Sequence, residues 1–168
     1  MKKMILTLVL AMMTAGLASA QNYMGVDSEK VCKSLSSYTS ALDSIDKLAE
    51  QYQQQVDAKF QEVEQLYNTY MQQRASLSES YRQQYEQMIL QKEAEATEYQ
   101  ESIFGTEGTL MQKRLELIQP IQKEVFAAIE KYAKAKGYDM IIDISQNATM
   151  LYYSERADHT DEIIATLK

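Results

Sequence analysis

A chain of 168 residues with 24 acidic against 17 basic side chains, no Trp and three Phe has length for one ordinary domain but little aromatic bulk for a large compact core. Its formal charge of −7 repels nucleic acid, whose affinity comes mainly from neutralising phosphates with Lys and Arg. The single cysteine, Cys32, rules out an internal disulfide in any redox compartment.

Lys2 and Lys3 precede an apolar run from Met4 to Leu17 and the small-residue triplet Ala18-Ser19-Ala20. This is the pattern of a cleavable secretory signal with a cut after Ala20. The run is shorter than the roughly 20 residues a spanning helix needs, so the expectation is a soluble protein exported from the cytoplasm, with no stable membrane insertion. Loss of Lys2 and Lys3 leaves 15 basic against 24 acidic side chains, a net charge of −9. Cys32 reads as a small buried apolar residue, with an intermolecular bridge as the alternative, and no cysteine sits close enough to the cut for a lipid anchor.

Tyr23-Met24-Gly25-Val26 reads as a strand, followed by a short helix from Ser28 toward Tyr38. From Ser36 to Ala75 there is no Pro or Gly, and Leu42, Ile45, Ala49, Tyr52, Val56, Phe60, Val63, Tyr67 and Tyr70 follow steps of three or four. A mean step near 3.5 is the repeat of a left-handed coiled-coil seam. The intervening Gln, Asp, Lys and Glu residues are good helix formers for a solvated face, and such a helix spans roughly 60 Å.

The pattern pauses at Ala75-Ser76-Leu77-Ser78, with Ser78 or Ser80 available as an N-cap, which predicts the tip of a helical hairpin. A return helix is expected through Tyr81, Tyr85, Met88, Ala96, Tyr99, Ile103, Leu110, Leu117, Ile121, Val125, Ala128 and Tyr132. Lys92 and Thr106 interrupt its apolar face. Gly105, Gly108 and Pro120 predict bends rather than ends, because the spacing continues on both sides; Pro120 alternatively opens a separate helix. Lys134-Ala135-Lys136-Gly137 closes the helix with basic residues at its negative end and a glycine cap.

Beyond Gly137 the period changes. Met140 to Ile144 and Thr149 to Tyr153 read as two strands joined by a turn at Gln146-Asn147, and Asp158 or Thr160 caps a last helix from Asp161 to Leu167. Three short strands are a marginal unit alone, so the sheet is expected to complete itself across subunits, through Val26, Met140, Ile142, Ile144, Leu151 and Tyr153. The expected architecture is mainly α with a small β base: signal peptide 1–20, an α/β body from 21–40 and 110–168, and a hairpin from 41–109 with its tip near 75–80.

No catalytic constellation is visible, which points away from an enzyme, and no cofactor or metal is expected. His159, the one histidine, sits among Asp158, Asp161 and Glu162 and reads as an exposed cap residue. Gly105-Thr106-Glu107-Gly108 lacks the strand context and the lysine of a phosphate loop. Tyr52, Tyr67, Tyr70, Tyr81, Tyr85 and Tyr99 divide between seam packing and contact with a bound partner. Tyrosine suits a surface that binds many sequences, because it offers apolar area and a hydroxyl at low entropic cost.

The strand and helix Met24-Gly25-Val26-Asp27-Ser28-Glu29-Lys30-Val31, the Gln- and Glu-rich middle, Ile118-Gln119-Pro120-Ile121, Lys136-Gly137-Tyr138-Asp139-Met140-Ile141-Ile142-Asp143 and the terminal Asp161-Glu162-Ile163-Ile164 together resemble the Skp (OmpH) family. Gln21 after the cut and the acidic balance look like a Bacteroidetes relative. The resemblance implies a jellyfish-like homotrimer, with a central β body and helical tentacles around a cavity, that holds unfolded outer-membrane proteins without ATP. Basic members of that family carry cationic tentacles suited to acidic clients and lipopolysaccharide, whereas Leu42 to Phe104 here carries five basic and twelve acidic residues. The charge therefore puts lipopolysaccharide or anionic-membrane binding in doubt. The competing reading is a structural coiled-coil adaptor or spacer of the cell envelope.

Overall fold

The computed structural model describes residues 22–145 and 150–167. In chain order these form β1 (Tyr23–Val26), α1 (Ser28–Lys33), α2 (Ser36–Gln73), α3 (Glu79–Phe104), α4 (Thr109–Lys136), β2 (Met140–Asp143), a 3-10 turn (Glu155–Ala157) and α5 (Thr160–Thr166). The fold is mainly helical with one small sheet and a long helical hairpin. The expected signal peptide and the turn at Gln146-Asn147 lie outside the described residues. The chain divides into two compact units, one of the described residues up to Leu35 with those from Gln122 onward, the other Ser36–Ile121.

In the second unit α2 and α3 pack antiparallel about a turn at Arg74–Ser78. Tyr70 stacks on Tyr85 with ring centroids 5.8 Å apart and donates its hydroxyl to Glu86 Oε1 at 2.5 Å. Farther from the tip, the Tyr99 hydroxyl donates to Gln55 Oε1, and the Lys59 ammonium lies over the Tyr99 ring at 4.9 Å. Ser78 occupies the N-cap position of α3 without a side-chain cap bond.

The seam differs in phase from the expected one. Ala41, Leu42, Ile45, Leu48, Ala49, Tyr52, Val56, Lys59, Val63, Leu66 and Tyr70 are the buried or half-buried positions from 41 to 70, while Phe60 and Tyr67 are exposed. From Ala49 to Tyr70 steps of three and four alternate, the spacing of knobs-into-holes packing. Lys59 holds a seam position by laying its aliphatic stem along the groove and its cation over Tyr99. On α3 the inward residues are Tyr85, Ile89, Ala96, Tyr99 and Ile103, so Ile89 takes the place expected for Met88, and Tyr81 faces solvent.

The return helix ends at Phe104 and restarts at Thr109, a break where a bend was expected. A Cβ at Gly105 would meet the Glu101 carbonyl oxygen at 2.5 Å, and one at Gly108 the Ile103 carbonyl oxygen at the same distance. Only glycine tolerates such approaches, so the two residues fix a tight turn that a continuous helix cannot contain. Beyond it, Ala41, Ile45 and Ile118 form a buried cluster with Tyr38, Leu42, Leu110, Leu117 and Ile121 packed against it. Pro120 sits inside α4 without ending it. The cost of a mid-helix proline, about 3 kcal/mol, is offset by the burial of Leu117, Ile118 and Ile121 around it.

In the first unit β1 and β2 pair in parallel, with register Tyr23↔Met140 to Val26↔Asp143. The expected second strand from Thr149 to Tyr153 is absent over its described part: Met150–Ser154 has no regular structure, and Leu151 is 98% exposed. The other side of β1 is met instead by the His159 N–H, which donates to the Gly25 carbonyl at 3.0 Å.

Asp27 caps α1 by accepting from the Lys30 N–H at 2.8 Å. The Ser34 hydroxyl donates to the Val31 carbonyl at 2.7 Å, and α1 stops at Lys33 instead of running toward Tyr38. Met24, Val26, Val31, Cys32, Val125, Ile129, Ala133 and Ile163 are buried here. Buried Thr160 accepts from the Asp27 N–H at 2.8 Å, tying α5 to the start of α1. Gly137, at φ 76°, lets the Tyr138 N–H reach back to the Ala133 carbonyl and close α4. Among the described residues no helix is long and apolar enough to cross a membrane.

Candidate functional site

The hairpin has its seam filled and still leaves large apolar side chains in solvent: Phe60, Tyr67 and Met71 on α2, and Tyr81, Met88 and Leu90 on α3. At about 100° per residue, Phe60, Tyr67 and Met71 form one stripe roughly 80° around α2 from its seam. Tyr81 and Met88 flank the α3 seam by about 60°, and because the helices run antiparallel they lie on the opposite broad face of the hairpin. Both broad faces therefore carry apolar contact area set among carboxylates.

Of the six tyrosines singled out in the sequence, Tyr67 and Tyr81 are exposed and Tyr52, Tyr85 and Tyr99 half-buried. Tyr70 is buried in the seam, where the bond to Glu86 and loss of water push its phenol above the usual range. Phe60 and Met71 were legible as contact candidates only from the strict alternation of the seam, which excludes them from it.

The second surface lies in the unit with the sheet. Val26 is buried within the chain, Ile142 and Ile144 are half-buried, and Met140, Leu151 and Tyr153 are exposed. Ile142, Ile144, Met150, Tyr152 and Tyr153 line a cavity of about 360 Å³ beside β1 and β2. Asp143, at the end of β2, accepts from the Ser28 hydroxyl at 2.5 Å and the Ser145 N–H at 3.0 Å. Burial pushes its carboxyl up, and the hydrogen bonds from Ser28 and Ser145 outweigh that and hold it below the usual carboxylate range.

The family model for outer membrane proteins of the OmpH-like kind matches residues 23–167. The chain belongs to the OmpH-like family. Members of this family are periplasmic chaperones that bind unfolded outer-membrane proteins and associate with their own copies. No curated protein matches the chain.

The groups in this OmpH-like chain that resembled enzyme chemistry have structural partners. His159 is not the exposed cap expected: its side chain is 14% exposed, at the N-cap position of α5, with Nε2 2.8 Å from the Tyr138 hydroxyl and Nδ1 3.4 Å from Glu162 Oε1. Asp158, one residue farther out, accepts from the Thr160 N–H at 3.0 Å. Cys32 is a buried free thiol whose burial pushes its pKa up, away from the reactive thiolate. Among the described residues no group of three or more His, Cys, Asp and Glu is placed to hold a metal ion.

Proposed function

We propose that this chain is an ATP-independent periplasmic holdase that works as a homotrimer and shields unfolded outer-membrane β-barrel proteins between its helical hairpins. The observation that carries the reading is the apolar surface left on both broad faces of a hairpin whose seam is already satisfied. Phe60, Tyr67, Met71, Tyr81 and Met88 lie outside the seam and leave about a third to three fifths of their surface in solvent, and scattered apolar contacts among solvated carboxylates hold many sequences weakly and together. The acidic hairpin supports clients held by apolar contact and disfavours lipopolysaccharide and anionic membranes as partners. The export signal read in residues 1–20 supports the compartment.

The subunit contact is assigned to the sheet unit, where Met140, Leu151 and Tyr153 are exposed beside half-buried Ile142 and Ile144. Ile142→Asp would put a charge into that surface at a cost of several kcal/mol. The variant is expected to sediment as a monomer, and an unchanged trimer would remove this face from the interface. The functional test is dilution of a urea-unfolded outer-membrane barrel into stoichiometric trimer, with light scattering as the readout. Suppressed aggregation is expected. Unchecked aggregation, together with one folded stoichiometric partner in a pull-down, would instead favour the envelope adaptor.

A further inference from the structure

At the glycine turn between α3 and α4 the hairpin unit opens into a cleft of about 490 Å³, lined by Ile45, Phe104, Gly105, Leu110, Met111 and Arg114, with Thr106 at its edge. That volume lies within the range of small-ligand sites, roughly 300–1,000 Å³. Its walls are apolar, and Phe104 and Met111 remain partly in solvent there. The one charged group is Arg114. The neighbouring Lys113 has taken Glu116 at 2.7 Å, and among the described residues Arg114 has no ion-pair partner. A second cleft shares Gly105 and Thr106 with the first and is lined further by Glu98, Glu101 and Glu107.

We propose that the Arg114 cleft binds the C-terminal residue of an unfolded polypeptide, an aromatic side chain against Phe104 and Met111 with the terminal carboxylate on Arg114. The guanidinium fork matches a carboxylate with two parallel N–H donors. A phenyl ring meets three groups suited to it: the Phe104 ring, the Met111 thioether and the Arg114 cation. The adjoining acidic cleft repels a carboxylate, so of the two positions the charge pattern favours the one at Arg114. The cleft is open to solvent, which lets the rest of a chain leave it, whereas an acyl tail needs an enclosed channel. The proposal rests on the holdase reading and adds to it one site that reads a chain end rather than bulk apolar character.

The test uses the purified protein and a fluorescein-labelled peptide ending in Phe with a free carboxylate, beside the same peptide amidated and the same peptide ending in Ser. Fluorescence anisotropy is expected to show the free acid binding at least about tenfold more tightly than the amide, the size of one charge-assisted hydrogen-bonded pair. Arg114→Gln, at an exposed position, should abolish the difference between acid and amide, and Arg114→Lys should restore part of it. Met111→Ser should shrink the difference between Phe and Ser endings. Equal binding of acid and amide by the wild type, a difference that survives Arg114→Gln, or equal displacement by a long-chain fatty acid would each overturn the site. Suppression of barrel aggregation is measured in parallel: intact suppression without end discrimination sinks the site alone, and end discrimination without suppression sinks the holdase reading and sustains the site.

Discussion

Removing one exposed aromatic from each broad face of the hairpin gives the most direct test of how clients are held. Tyr67 is 48% exposed and Tyr81 59% exposed, and neither belongs to the seam. A tyrosine buries up to about 200 Å² when fully covered, so each offers a client roughly 100 Å². At about 25 cal/mol per Å² that bounds the contribution near 2.5 kcal/mol per ring. A mobile client covers each ring only part of the time, which brings the working figure to about 1 kcal/mol each. Tyr67→Ser with Tyr81→Ser should therefore weaken capture of an unfolded barrel by about 2 kcal/mol, roughly 30-fold in Kd. Thermal unfolding should shift little, since exposed substitutions outside special features stay within about 0.5 kcal/mol.

Tyr70→Ser is the matched contrast. It removes a buried ring, its stack on Tyr85 and its bond to Glu86, at a cost of about 3–5 kcal/mol in stability. Titration of a labelled unfolded barrel, with circular dichroism melts of each variant, separates the two effects. An unchanged Kd in the double variant would refute the assignment of capture to exposed aromatics. A fall in melting temperature as large as that of Tyr70→Ser would refute the phase assigned to the seam.

Three further outcomes are expected. Gly108→Ala drives a Cβ to 2.5 Å from the Ile103 carbonyl oxygen and should cost about 1–3 kcal/mol, read as a lower denaturant midpoint; a neutral result would mean that the turn relaxes freely. Because the folded Asp143 carboxyl lies below its unfolded value, its contribution is complete above about pH 4 and is lost as pH falls through the folded pKa. Asp143→Asn should accordingly cost about 1 kcal/mol at neutral pH, given its exposure, and flatten the acid limb of the melting curve; an acid limb identical to wild type would dismiss the carboxylate. With the net charge of −9 expected once residues 1–20 are removed, affinity for an acidic unfolded barrel should hold or rise as the Debye length shrinks from about 30 Å at 0.01 M salt to about 8 Å at 0.15 M, and a steep loss would point to attraction by cations.

Much of the fold was legible in the sequence, because two periods carry it. A 3.5-residue apolar repeat without Pro or Gly yields α2 and its partner, and the glycine after Lys136 marks the end of α4. Where the reading failed, large apolar residues on an exposed face were indistinguishable from seam residues one position away. Phe60 is more apolar than Lys59 and Tyr67 larger than Leu66, yet the alternation of three and four selects Lys59 and Leu66. The strand expected from Thr149 to Tyr153 failed for a related reason. Leu151, Tyr152 and Tyr153 are exposed, and propensity reports fitness for a half-buried pleated surface without saying whether a neighbouring strand supplies one. His159 was missed because its tyrosine partners lie 21 and 27 residues earlier in sequence.

The same five positions bear on the proposed function. A sequence that needed only a coiled coil would put glutamate or lysine at positions 60, 67, 71, 81 and 88, where solvation of a hairpin face is cheapest. This chain puts Phe, Tyr, Met, Tyr and Met there and surrounds them with carboxylates. The carboxylates keep hairpins of separate molecules apart by mutual repulsion, which is the condition for leaving apolar rings uncovered. On the proposed holdase function, acidity and exposed aromatics are two halves of one arrangement: repulsion between hairpins opposes self-association through the faces and leaves them to an unfolded chain with apolar segments of its own.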